Sequence, residues 1–291
     1  MAAEHIKRWK IGDVEIIRIV ELYDFQDDVW VLLEGATPEV MTRRDWLAPH
    51  FITPDGRMRM NFQAFVVVSQ GKRIMVDTCI GNDRQREYDV FSNLQTSFID
   101  DVAAAGHPPE AFDVVLCTHL HLDHCGWNTR LVDGKWVPTF PNARYLFSRK
   151  EMDHWEKSMA AGLPHMEHVV DALQPVIDAG LVDFVPPDHK ITDEVWMFPT
   201  PGHTPGHVSV HISSRGQEAV ITGDVVHHPV QFAEPDMVNN FDMDKEAGRL
   251  MRRQFFGKYA DKPSTVIGSH FAEPTSGRIV RDGELWRFVA D

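Results

Sequence analysis

The chain of 291 residues is poor in cysteine: Cys79, Cys117 and Cys125 are its only three, and none forms a C-x-x-C pair. An odd, scattered set suggests neither a disulfide framework nor a thiolate zinc site. Positive charge is scarce as well, with 29 Lys and Arg against 43 Asp and Glu, a net charge of −14. Such a surface repels phosphate backbones, and no Lys/Arg block offers a local exception, so no nucleic-acid partner is expected. No window holds about 18 uninterrupted apolar residues, and the start, MAAEHIKRWKIGDVEIIRIVE, lacks the apolar stretch of a signal peptide. The expectation is a cytoplasmic protein without membrane association. Repeats, low-complexity stretches and Gly/Ser- or Pro-rich linkers are missing, which gives one domain over 1–291. What is abundant is histidine, 16 residues in all, within an ordinary globular balance of 43% hydrophobic and 25% charged residues.

Periodicity outlines the elements. Residues 12–21 alternate and are β-branched, hence a strand. Residues 62–77 read as a hairpin turning at Gln70-Gly71-Lys72. A helix fits 94–105 and stops at Gly106. The buried strand FDVVLCTH follows at 112–119. A strand at 143–147 leads to Ser148 as N-cap of a helix through Lys157. Strands are expected at 195–199, 207–213 and 219–223. A helix over 243–260 places Met243, Ala247, Leu250, Met251, Phe255 and Tyr259 on one face. Strands at 264–268 and 278–288 close the chain. Strands in meander, then alternating with helices, imply stacked sheets flanked by helices, an α/β class. Residues 22–60 mix Phe25, Trp30, Leu32, Leu33, Trp46, Phe51 and Met58 with Pro, Gly and charges. They read as a long surface excursion packed on the domain, or as an apolar lid or dimer arm beside the site.

The chemistry concentrates in Thr118-His119-Leu120-His121-Leu122-Asp123-His124, directly after the buried strand. Three imidazoles and a carboxylate within six residues are the donor types that bind zinc and similar divalent metals. About 0.007 chance occurrences of H-x-H-x-(D/E)-H are expected in a chain of this composition. Further candidate ligands end other apolar strands or sit in the turn between them: His203 in PGHTPGH, Asp224 after AVITG, and His270 after STVIGS. They share one geometry, a polar donor at the carboxyl edge of a strand. His207 and His211, four apart on a strand, read as structural. His107, His154, His165, His168 and His189 read as surface residues. Trp127, Phe232 and Phe241 are candidate walls of an apolar pocket.

These motifs, with Val76-Asp77-Thr78, Gly202-His203, Gly223-Asp224 and Ser269-His270 in this order over residues 60–271, resemble the metallo-β-lactamase-fold hydrolases, and among them the lactonase-like and organophosphate-hydrolase-like members. The resemblance implies a four-layer αβ/βα sandwich with a di-metal site at the sheet edge. It implies that His119, His121 and His203 hold one metal, that Asp123, His124 and His270 hold the other, and that Asp224 bridges both. Asp77 would orient a ligand from behind. Two divalent metals, zinc first and Mn2+ or Fe2+ as alternatives, would share one water and bring its pKa to about 7.

No G-x-S-x-G occurs, and Cys125 reads as a small buried thiol, so a water nucleophile is expected, with Asp123 passing its proton to the leaving group. A bridging acid at Asp224 resembles lactonase, thioesterase and phosphoesterase members rather than the β-lactamases proper. Only 21 residues follow His270, too few for the helical substrate domain of glyoxalase II. The expected substrate is a small lactone or carboxylic ester. Alternatives are organophosphate triesters or β-lactams in the same site, or an iron-dependent sulfur dioxygenase of the same fold. The acyl-homoserine-lactone lactonases carry a substrate-contacting Tyr three residues after the bridging Asp, where this chain has His227. A neutral imidazole can donate the same hydrogen bond to a developing oxyanion, which makes His227 the second catalytic candidate beside Asp123; the other reading of His227 is a rim residue. A homodimer through residues 22–60 is the expected assembly.

Overall fold

A computed structural model describes residues 5–291; residues 1–4, part of the start in which no leader is expected, lie outside the described residues. The chain divides into two compact units. The first comprises the stretch up to Glu21 and residues 62–187, and the second residues 22–61 and 188–291.

Strands β1 (Lys7–Ile11), β2 (Val14–Asp27), β3 (Met58–Ser69), β4 (Lys72–Val76) and β5 (Val114–Leu116) begin the first sheet, and a separate hairpin of β6 (Thr129–Val132) and β7 (Lys135–Pro138) follows. With β8 (Arg144–Ser148) and β9 (Val182–Val185) the sheet order is β1-β2-β3-β4-β5-β8-β9. Strands β4, β5, β8 and β9 run parallel, and β5 is the fully buried run Val114-Val115-Leu116 expected of such strands. Their carboxyl ends share one edge, where open α/β sheets place ligands. Asp77, the loop from Thr118 and Glu151 all emerge there. The core of this unit includes Val66, Met75, Phe98, Phe112, Val115, Tyr145, Phe147 and Trp155.

The second unit has the sheet order β10 (Val195–Pro199), β11 (Val208–Ser214), β12 (Gln217–Ile221), β13 (Thr265–Ile267), β14 (Ser276–Asp282) and β15 (Leu285–Ala290). Only the β12–β13 pair is parallel, so the ends of both strands, leading to Asp224 and His270, fall on one edge. The α/β class expected from the sequence is the one adopted.

Several local expectations shift. The helix expected over 94–105 is Phe98–Ala104, and the single strand expected at 278–288 is the β14–β15 hairpin, turning at Gly283 with φ +61°. Ser148 stands at the N-cap of helix Arg149–Ala160, yet its side chain makes no cap bond. Helix Lys245–Tyr259 buries Gly248, Arg252, Phe255, Phe256 and Tyr259, whereas Leu250 and Met243 are 46% and 40% exposed. The apolar stripe misses this face because a charged residue, Arg252, sits at its centre. Residues 22–60 send Val29, Leu32, Leu33, Met41, Leu47, Phe51 and Met58 into the second unit's core, the packing that the first of the two readings expects. Phe232 joins that core, and Trp127 stacks on Phe98 in the first unit, while Phe241 is exposed. His107 and His168 are buried rather than on the surface, and burial pushes the His168 pKa down to about 4.

One buried ion cluster organises the first unit. Asp171, on the π-helical turn Val169–Leu173, accepts from Arg84 Nη1 at 2.7 Å and from Arg86 Nη1 and Nη2 at 2.7 and 2.9 Å. Arg84 also donates to the Gly126 and Thr129 carbonyls, and burial lowers its pKa to about 10. All three cysteines are buried in this unit, and desolvation raises each thiol pKa. Among the described residues no helix is long and apolar enough to cross a membrane.

Candidate metal centre

In the first unit the ligand run leaves β5 as a loop and then forms the short helix Leu122–Cys125. Asp77, at the end of β4, accepts from the Thr118 N–H at 2.7 Å and from the Thr118 hydroxyl at 3.0 Å. That hydroxyl has spent its hydrogen, so it accepts from His119 Nδ1 at 3.1 Å and leaves a lone pair on His119 Nε2. Asp77 Oδ2 also takes the Nδ1–H of His124 at 2.9 Å. His119 Nε2 then faces His121 Nδ1 at 2.9 Å, and His124 Nε2 faces Asp123 Oδ2 at 3.6 Å. Glu151 accepts from the Leu120 N–H at 3.2 Å and from Trp155 Nε1 at 3.0 Å, fixing the backbone between two ligands. The helix end is tight. A Cβ on Gly126 would lie 1.8 Å from the Ile80 carbonyl oxygen.

In the second unit Asp224 is the hub. His203 Nε2 lies 3.4 Å from Asp224 Oδ2, His270 Nε2 lies 3.3 Å from Oδ1, and His227 Nε2 donates to Oδ2 at 2.8 Å. The donor atoms of His203, Asp224 and His227 all fall within 4.8 Å of one another. The far nitrogens are held from behind: His203 Nδ1 donates to Asp242 Oδ1 at 2.9 Å, and His270 Nδ1 to the Asn61 carbonyl at 3.1 Å. His207, read as structural, accepts the Asp224 N–H at Nε2 over 2.7 Å. Burial pushes the His227 pKa down to about 4 against the pull of Asp224, so its ring is neutral at pH 7. His227 is buried against Asp224. Burial raises the Asp242 carboxyl pKa, but His203 and Arg252 outweigh that and bring it below the usual range.

Donor spacing tests whether metals fit. Zn–N and Zn–O bonds of about 2.0–2.1 Å put two tetrahedral donors roughly 3.3 Å apart. The four pairs His119–His121, His124–Asp123, His203–Asp224 and His270–Asp224 span 2.9–3.6 Å. With their Nδ1 hydrogens committed outward, His203 and His270 present lone pairs to carboxylate oxygens, a contact that repels unless a cation lies between. The residues fit divalent metal binding in both sets.

Gly202 sets the turn that carries His203. Its φ is +140°, and a Cβ there would come within 2.4 Å of the Gly248 Cα. Gly202→Ala is expected to cost about 3 kcal/mol or more in strain and overpacking. Thermal unfolding should register this as a melting point lower by roughly 6–12 °C; an unchanged melting point would contradict the close approach.

The predicted ligands thus fall into two sets, His119, His121, Asp123 and His124 in the first unit and His203, Asp224 and His270 in the second. Sequence reasoning missed Glu151, Asp242, Arg252 and the Asn61 carbonyl. Ser148-x-x-Glu151 looks like a capping box, which hid the carboxylate's actual use.

A chain that commits buried carboxylates to orienting imidazoles at the carboxyl ends of its strands is built as a metallo-hydrolase. More narrowly, residues 63–270 match the family model of the metallo-beta-lactamase superfamily, and the chain belongs to that superfamily. It is 20% identical over 241 residues to the N-acyl homoserine lactonase AiiA of Bacillus thuringiensis subsp. kurstaki, covering 78% of this chain and 88% of that one. Among solved structures it is similar to hydrolase AbOPH of the beta lactamase superfamily (TM-score 0.80, 23% identity, 98% and 97% of the two chains). It is equally similar in fold to AidC, a dizinc quorum-quenching lactonase solved with the product N-hexanoyl-L-homoserine (TM-score 0.80, 19% identity, 98% and 97% covered).

Proposed function

We propose that the two donor sets together hold two zinc ions, His119, His121 and His203 on one, Asp123, His124 and His270 on the other, with Asp224 bridging, and that the enzyme hydrolyses a lactone or carboxylic ester. The observation that carries this reading is Asp224, approached at 2.8–3.4 Å by three imidazoles of which two present lone pairs. The lactonase relatives support the substrate class. When bound, two such metals supply an acidified water and polarise the scissile carbonyl.

The chain's own residues do the rest. Asp77, Asp242 and the Asn61 carbonyl lock the rings of His124, His203 and His270 in the tautomer that turns Nε2 inward. Asp123, partly exposed, takes the proton released by the attacking water and returns it to the leaving alkoxide. His227 offers its Nε2–H, which rests on Asp224, to the oxygen that becomes negative on the substrate. The substrate is a small molecule, and a homodimer through residues 22–60 is proposed with it.

The test is a panel of aliphatic lactones, aryl esters, a phosphotriester and a cephalosporin, run on zinc-, manganese- and iron-loaded protein. Lactones or esters should lead in kcat/KM by at least tenfold. His227→Ala should lower kcat by about 100–1,000-fold and leave metal content at two. A preferred phosphotriester or cephalosporin would overturn the substrate class. One iron and no zinc per purified chain would overturn the hydrolytic reading.

A further inference from the structure

Each donor set has one buried carboxylate behind an imidazole, but the two carboxylates are supported differently. Asp77, behind His124, takes its other bonds from the neutral N–H and hydroxyl of Thr118. Asp242, behind His203, accepts at its second oxygen from Arg252 Nη2 at 3.0 Å and from the Asn239 N–H at 3.2 Å. Arg252 is 1% exposed and Asp242 is buried. The remaining guanidinium donors are spent on carbonyls: Nε on Val225 at 3.2 Å, Nη1 on Pro235 and Met237 at 3.3 Å each. Val225 follows Asp224 directly. One guanidinium therefore ties both ligand-bearing turns, that of His203 through Asp242 and that of Asp224 through its neighbour's carbonyl, to the helix Lys245–Tyr259.

A buried arginine is costly to desolvate unless its nitrogens find partners, and here all three are bonded, each to the two ligand turns or the loop joining them to the helix. A carboxylate shared with a guanidinium also draws less on the imidazole hydrogen than one held by neutral donors, so His203 is left the less basic ligand. We infer that Asp242 and Arg252 are a positioning pair that sets the metal affinity of His203, and that of the two metals the one ligated by His203 exchanges more readily. This rests on the di-metal reading above.

The experiment is metal titration of purified full-length protein, with zinc content by mass spectrometry and stepwise competition against a chromophoric chelator. Wild type should hold two zinc ions that leave in two resolved steps. Asp242→Asn, which can still accept from His203 but lacks the charge, should weaken the first-leaving zinc by 10–100-fold and change the other less than about threefold. Asp77→Asn should weaken the later-leaving zinc instead. A merely structural role would lower the melting point of the metal-free protein and move both affinities together or neither, and that result overturns the pair's assignment. If Asp242→Asn does not fold, Arg252→Lys and Arg252→Gln decide. Lysine, which keeps the charge, should hold the labile zinc within about threefold of wild type, while glutamine, which removes the charge competing for Asp242, should bind it about tenfold tighter; equal affinities in the two variants overturn the inference. Wild type binding fewer than two zinc ions is a separate failure, of the di-metal reading itself.

Discussion

Asp224→Ala is expected to reduce hydrolysis of the best panel substrate by at least about a thousandfold, roughly 4 kcal/mol of transition-state stabilisation. The carboxylate faces the Nε2 atoms of His203, His227 and His270 in the second unit, at 3.4, 2.8 and 3.3 Å. Without it three imidazoles converge on each other with no anion to hold cations between them, and zinc content should fall from two per chain to one or fewer. The fold itself should survive. The backbone at 224 is anchored independently, its N–H donating to His207, and β12 and β13 pair without help from the side chain. Far-ultraviolet circular dichroism should therefore match wild type while turnover and metal content do not. Wild-type turnover in this variant would remove the basis of the assignment.

The largest loss of stability is expected at a residue that plays no part in the chemistry. Asp171→Ala leaves two buried guanidiniums, those of Arg84 and Arg86, which are 0% and 1% exposed, without their shared anion. Breaking such a cluster from the acid side costs about 3–5 kcal/mol, which for a domain of this size lowers the melting temperature by roughly 6–20 °C. The natural control is Asp236, which also meets two arginines, Arg249 at 3.0 Å and Arg253 at 2.5 Å. The hydrogen bond from Arg253 draws its carboxyl pKa down to about 2, with burial opposing and Arg249 adding to the pull. Yet that side chain is 57% exposed, solvent screens the pair, and Asp236→Ala should cost under about 1 kcal/mol. Equal losses in the two variants would mean that burial does not govern the difference.

The ligand run was legible because it breaks an apolar strand with polar side chains that a core cannot absorb, and His203, Asp224 and His270 repeat that break. The residues behind the ligands were not. Asp242 reaches His203 across 39 positions and Glu151 reaches Leu120 across 31, and no local pattern marks either. Arg252 was hidden for a different reason: hydrophobic periodicity discards a charged residue from a core face, so the helix was rotated toward Met243 and Leu250. The closing hairpin carried a usable sign, Asp282-Gly283, inside what otherwise reads as one long alternating strand.

The placement of the sulfurs has a practical corollary. Cys79, Cys117 and Cys125 all lie inside the first unit, fully enclosed and with their ionisation suppressed. A maleimide or similar alkylating dye can reach them only when that half of the molecule opens. Labelling kinetics would follow the breathing of one half of the chain and stay blind to the other, with no engineered reporter required.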